Sequence, residues 1–153
     1  MSISRSIEIR VYGSPAPQGS KRHVGNGVMI ESSKAVKPWR EAVKWAALEA
    51  CTRGRPCEEW QPNHGNGCVS GAVQVEMTFT MRRPKSARKG SRPSTRPDLS
   101  KLVRSTEDAL TDAGTWEDDA RIVECLARKV YPGDHPDALD VPGVVIRVRG
   151  VSE

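Results

Sequence analysis

The chain has 153 residues, enough for one ordinary domain that buries about two thirds of its unfolded surface without disulfides. With 28% charged and 37% hydrophobic residues, it contains no run near the roughly 18 apolar residues of a membrane span, yet enough periodic apolar segments to exclude disorder. A net charge of +5, and four cysteines with no apolar leader in MSISRSIEIR, point to a single cytoplasmic domain over residues 1–153, with reduced thiols and a polyanionic partner.

Alternation from Ser6 to Gly13 sets Ile7, Ile9 and Val11 on one face and Glu8, Arg10 and Tyr12 on the other, which predicts a half-buried strand. SPAPQGSKRHVGNG then reads as a loop punctuated by proline and glycine, carrying Lys21, Arg22 and His23 toward a substrate. A short extra strand is expected near Val28 to Ile30. Ser32 and Ser33 are candidate caps for a helix over Val36 to Ala50, with Pro38 in its first turn. Its predicted core stripe is Trp39, Val43, Ala46 and Ala50, leaving Arg40, Glu41, Lys44 and Glu49 to water. Trp45 departs from that stripe and is available for a second contact.

From Cys51 to Gly71 no period is sustained, so residues 51–71 read as an irregular excursion. Cys51, Cys57, His64 and Cys68 stand in an array whose spacing lacks the close ligand pairs of tetrahedral zinc sites, and zinc is not expected there. Ala72 to Met81 alternates most cleanly of all and should be central to a sheet. Residues 82–97 form a basic loop in which Arg82, Arg83, Lys85, Arg88, Lys89, Arg92 and Arg96 occur with no acid among them. On charge alone the run reads equally as a solvated loop or as a phosphate-binding surface.

A second helix is predicted over Leu99 to Ala113, with Leu99, Leu102, Val103, Thr106, Leu110 and Ala113 inward. Ser100, Lys101, Arg104, Glu107 and Asp108 make its polar face, and Gly114 follows as the stop. Ile122 to Tyr131, with Cys125 expected in the core, and Val144 to Val148 complete the strands. The order implies an α+β fold, a single-layer mixed β-sheet packed by two main helices. His23 and His135 have no neighbouring serine or cysteine pattern that suggests a triad.

The chemistry concentrates in the acids. Magnesium takes hard oxygen ligands, and a metal-assisted phosphodiesterase uses it to activate water and neutralise charge on phosphorus. Asp98 stands at a helix start, where capping competes with metal binding. Glu117, Asp118 and Asp119 crowd ahead of a strand, a costly arrangement unless a cation or solvent offsets it. Asp98 and Asp119 are the best metal candidates, and Trp116 should pack beneath the turn.

RPDLSKLVRSTEDALTDAGTWEDDARIV, residues 96–123, resembles the signature of the RusA family of Holliday junction resolvases, small dimeric magnesium-dependent endonucleases of phages and prophages. The resemblance implies a homodimer that resolves Holliday junctions and other branched DNA by Mg²⁺-dependent phosphodiester hydrolysis, giving paired symmetric nicks. Mn²⁺ is a possible substitute for Mg²⁺. The implied catalytic residues are Asp98, Asp119 and Arg104, and the implied metal ligands Asp98, Asp118 and Asp119. Ser100 stands where that family usually has a further aspartate. Glu107 is the proposed replacement, although it lies roughly 10 Å farther along the helix, and Asp108 and Glu117 are rivals. Lys21, Arg22, the cations from Arg82 to Arg96, and Lys101 would bind DNA. The alternative is a non-catalytic branched-DNA-binding protein whose metal site has decayed at Ser100. An RNA- or single-strand-binding module is disfavoured by the scarcity of Phe and Tyr for base stacking.

Overall fold

The computed structural model describes residues 5–19, 34–53 and 67–151 in full, and residues 21–23 and 29–31 by their backbone. The elements, in order, are β1 (Ser6–Tyr12), β2 (Lys21–His23), β3 (Met29–Glu31), α1 (Val36–Thr52), β4 (Val73–Thr80), α2 (Leu99–Asp112), β5 (Ile122–Val130) and β6 (Gly143–Gly150). A 3-10 turn, Asp119–Arg121, leads into β5. The main sheet has the order β1-β6-β4-β5; β6 is antiparallel to both β1 and β4, whereas β5 runs parallel to β4. This is the mixed sheet of an α+β fold. The β4-α2-β5 crossover makes its parallel pair, because a parallel connection needs an intervening element long enough to return the chain.

Alternation decides which face is covered. Ile7, Ile9 and Val11 of β1, Val75, Met77 and Phe79 of β4, and Val144, Ile146 and Val148 of β6 share one face and join Trp39, Val43, Leu102 and Leu110 of the helices in a single core. The other face is polar, with Glu8, Arg147 and Glu76 abreast in adjacent strands and linked as ion pairs. Between the helices, the buried Trp39 indole donates to Thr106 Oγ1 at 3.2 Å, which satisfies two polar groups that burial would otherwise penalise. As expected, Thr106 is in the buried stripe, and β4 is an interior strand.

Several expectations need correction. The buried stripe of α1 is Val36, Trp39, Val43, Ala47 and Cys51. Beyond Val43 it advances by four residues per turn, so Ala46 and Ala50 are only partly buried against the core. Residue Ala35 precedes α1 without a side-chain cap, and Ser32 and Ser33 lie outside the described residues. Lys21–His23 lies in a hairpin with Met29–Glu31 rather than in a plain loop, which also locates the extra strand expected near there. Cys125 is exposed, not core, because β5 is an edge strand that α2 only partly covers. The excursion returns to the core at Cys68 and Val69, both buried, after residues 54–66, which include Cys57 and His64 and lie outside the described part. Among the described residues, no helix is long and apolar enough to cross a membrane.

Candidate active site and nucleic-acid interface

Helix α2 stops where glycine allows a left-handed residue. Gly114 has φ 74°, and Thr115 N–H donates back to Leu110 O at 3.0 Å, a Schellman-type closure. The returning segment at residues 67–69 grips the turn that follows: Cys68 N–H donates to Gly114 O at 2.8 Å and Val69 N–H to Thr115 O at 2.9 Å. Gly67, at φ 69°, lies so close that an added Cβ would sit 2.7 Å from Glu117 N. Sequence periodicity gave no sign of this clamp, since a three-residue contact between distant segments has no period.

The clamped turn presents Asp119 to the C-terminal half of α2. Trp116 is buried and its indole N–H donates to Thr111 Oγ1 at 2.8 Å and to Asp119 Oδ1 at 3.4 Å, while the Thr111 hydroxyl donates to Asp119 Oδ1. Trp116 thus packs beneath the turn as expected and bonds to Asp119; Asp118 is held differently, its Oδ1 accepting from Ala120 N–H at 2.8 Å to cap the 3-10 turn. Glu117 is paired with Arg121 at 2.9 Å.

Glu107 belongs to the same acidic group. Burial, then the charges of Asp119 and Asp108, push its carboxyl above the ordinary range, against the pull of Arg104. Asp108 is raised for like reasons, burial first, with Arg40 and Arg104 opposing. Arg104 therefore lies beside these acids, on the exposed side of α2. Both carboxyls thus resist ionisation chiefly through burial, with the neighbouring acids adding to the penalty.

Asp98 is elsewhere. It occupies the position before α2, yet its carboxylate makes no capping bond and instead pairs with Lys101 at 3.9 Å. Thr111, which holds Asp119, is thirteen residues farther along the helix, so about 20 Å separates the two aspartates' ends of α2. One chain brings Asp119, Glu107 and Asp108 together and leaves Asp98 and Ser100 at the opposite end. Among the described residues of the chain, no three His, Cys, Asp or Glu side chains are spaced to hold a metal ion.

The Asp98 end carries the cations. Lys129 of β5, unremarked by sequence reading, donates from Nζ to Thr95 O at 2.7 Å and to Pro97 O at 2.9 Å, and so fixes the approach to Asp98. It shares a face of β5 with Cys125 and Ala127, opposite Phe79 of β4. In the basic loop Arg83 is an anchor: it stacks on Tyr131 at 5.0 Å and pairs with Asp134 at 3.6 Å. Arg82, Lys85, Arg88, Lys89, Arg92 and Arg96 are exposed, with no carboxylate partner among the described residues. Gln18 N–H donates to Lys101 O at 3.0 Å, so Lys21 and Arg22 follow within about 14 Å of chain from the same end of α2.

Cys51 and Cys68 are buried neighbours, and their hydrogen bond, followed by burial, pushes the Cys51 thiol up, away from the thiolate that zinc needs.

The family model described as "Endodeoxyribonuclease RusA" matches residues 12–149. Among curated proteins, the uncharacterized protein YqaN of Bacillus subtilis (strain 168) is 27% identical over 158 residues, covering 95% of this chain and 97% of the relative.

Proposed function

Because the chain belongs to the RusA endodeoxyribonuclease family, we propose that it works as a homodimeric, Mg²⁺-dependent nuclease that resolves Holliday junctions and related branched DNA by paired symmetric nicks. The family implies junction resolution, and its resolvases generally depend on divalent metal. The observation that carries the finer reading is the separation of Asp98 from Asp119 along α2. A site needing both aspartates has to be built from two chains.

Strand β5 offers the means. It is an edge strand, and Val123 and Leu126 are 63% and 51% exposed on it, with Cys125 exposed between them. Unpaired edges carrying apolar side chains invite another strand. Asp119 immediately precedes β5, and the Thr95–Pro97 turn leading to Asp98 is tied to Lys129 near its end. Two copies of β5 paired antiparallel about a twofold axis bring the start of one beside the end of the other. Asp98 and the basic loop of one subunit then face the partner's Asp119 and the partner's Glu107.

Asp98, Asp118, Asp119 and Glu107 would hold the Mg²⁺, with Mn²⁺ acceptable to the same hard oxygens. When bound, the cation supplies Lewis-acid activation of water and offsets charge developing on the scissile phosphate. The remaining work falls to this chain's side chains. Thr111 and Trp116 engage Oδ1 of Asp119 and orient its carboxylate. Glu107, grouped with Asp119, makes up for the carboxylate absent at Ser100. Arg104 would serve as a fixed guanidinium charge that steadies the transition state, with the leaving group protonated by other means. Lys21, Arg22, Lys101 and the loop cations from Arg82 to Arg96 hold phosphates and set the orientation of the junction.

The test uses synthetic four-way junctions and matched linear duplex, each with Mg²⁺ and with EDTA. Paired nicks confined to junctions with Mg²⁺ support the proposal. A mobility shift on junctions without nicks favours the non-catalytic alternative, and equal treatment of junction and linear duplex contradicts both.

A further inference from the structure

We propose that the outer face of α1, from Lys34 to Trp45, is a second DNA-backbone surface that carries a duplex arm away from the acidic site; this rests on the proposed action on branched DNA. Lys37, Glu41 and Lys44 of α1 recur at steps of four and three residues and so lie along one side, flanking the buried line of Trp39, Val43 and Ala47, and Lys34 in the turn before the helix continues the row. Together with Arg40 and Asp112 they line a depression of about 550 Å³. None of the three lysines is paired with a carboxylate among the described residues, and the ion pairs on α1 belong to Arg40 and Arg53.

The row fits a duplex backbone in sign and in length. Within α1 the row from Lys37 to Lys44 spans about 10 Å, about three base-pair steps at about 3.4 Å each, and Lys34 extends it from the preceding turn. Trp45, 66% exposed and next in sequence to Lys44, adds a flat amphipathic ring at the end of the row. The row is also joined to the catalytic region. Arg40 pairs with Asp112 of α2 at 3.2 Å and bears on Asp108, which belongs to the acidic group around Asp119. Cations therefore begin where the acids end, as a strand leaving a metal-acid site requires. An acidic protein partner would be an alternative occupant, but a regularly spaced row suits a regularly spaced polyanion better.

The experiment measures junction binding in EDTA over a series of KCl concentrations, for wild type, the triple variant Lys34→Ala/Lys37→Ala/Lys44→Ala, and Glu41→Gln. Each lost phosphate contact lowers the slope of log affinity against log salt by about 0.9, so the triple variant should lose two to three in slope. Glu41→Gln removes the one acid from the row and should tighten binding about two- to threefold. Thermal melting checks that the variants fold, and the gain expected from Glu41→Gln cannot come from misfolding. Lengthening the junction arms should improve wild-type binding and leave the triple variant unimproved. If wild type binds junctions while all three proteins share one affinity and one salt slope, the inference is overturned and the nuclease reading stands. If wild type binds no DNA, both fall.

Discussion

At the scale of single residues, Thr111 and Glu107 are the groups that bear on Asp119. Thr111 Oγ1 accepts from Trp116 and its hydroxyl donates to Asp119, so one methyl-for-hydroxyl exchange leaves the carboxylate only the longer bond from Trp116 at 3.4 Å. Thr111→Val should lower kcat about tenfold with little change in KM, and Thr111→Ser should restore it; equal loss in both variants would show that packing, not the hydroxyl, matters. Glu107 makes a prediction in pH. Its folded-state carboxyl is raised by burial and then by Asp119, so ionisation is penalised in the fold but not in the unfolded chain. The penalty is absent below the ordinary carboxylate range and complete once pH exceeds the raised value. Without divalent cation, stability should fall as pH rises through that window. Glu107→Gln should flatten the dependence and gain roughly a few tenths of a kcal/mol at neutral pH, since the group is partly exposed and screened. Denaturant unfolding at several pH values checks this, and added Mg²⁺ should raise the melting temperature of wild type more than that of the variant.

At the scale of elements, what was legible follows from period. β4 and α2 could be read because their apolar residues repeat every second residue or along one helical side, and their bounds agree closely, although in α2 Leu99 and Val103 are only partly buried while Ser105 and Ala109 are buried. The candidate acids were legible through their density and through the resemblance of residues 96–123 to a known signature. Three features were not legible, for a shared physical reason: each depends on contacts between distant segments. The position of β5 at the edge follows from strand order, so Cys125 looked like a core residue. The Trp39–Thr106 bond joins residues 67 apart. The clamp of residues 67–69 on the 114–115 turn looked like the tail of an irregular excursion. That clamp yields a further prediction. Gly67→Ala forces a Cβ to 2.7 Å from Glu117 N at a positive φ, so it should destabilise by about 1–3 kcal/mol. Because the displaced backbone leads to Asp119, cleavage should fall more than stability alone explains; melting and turnover measured together separate the two.

At the scale of the whole molecule, the proposed function treats the two ends of α2 as two half-sites. One end of α2 carries Asp98, Lys101 and the basic loop tied down by Lys129 and Arg83; the other carries Asp119, Glu107 and the clamped turn. In the proposed dimer each half is completed by the other subunit, because a twofold pairing of β5 edges would complete both at once. The same symmetry would give two sites for two opposed strands of a junction, the requirement for paired nicks. The most direct measurement mixes two singly inactivated chains, Asp98→Asn and Asp119→Asn, after denaturation and refolding together, and assays nicking of a four-way junction with Mg²⁺. In a site shared between subunits, a mixed dimer has one composite site with both substitutions and one with neither. Random pairing makes half the dimers mixed, so roughly a quarter of wild-type sites should return, seen as single rather than paired nicks. If the mixture stays as inactive as either variant alone while wild type cleaves, the site is built within one chain and the shared-site account is wrong.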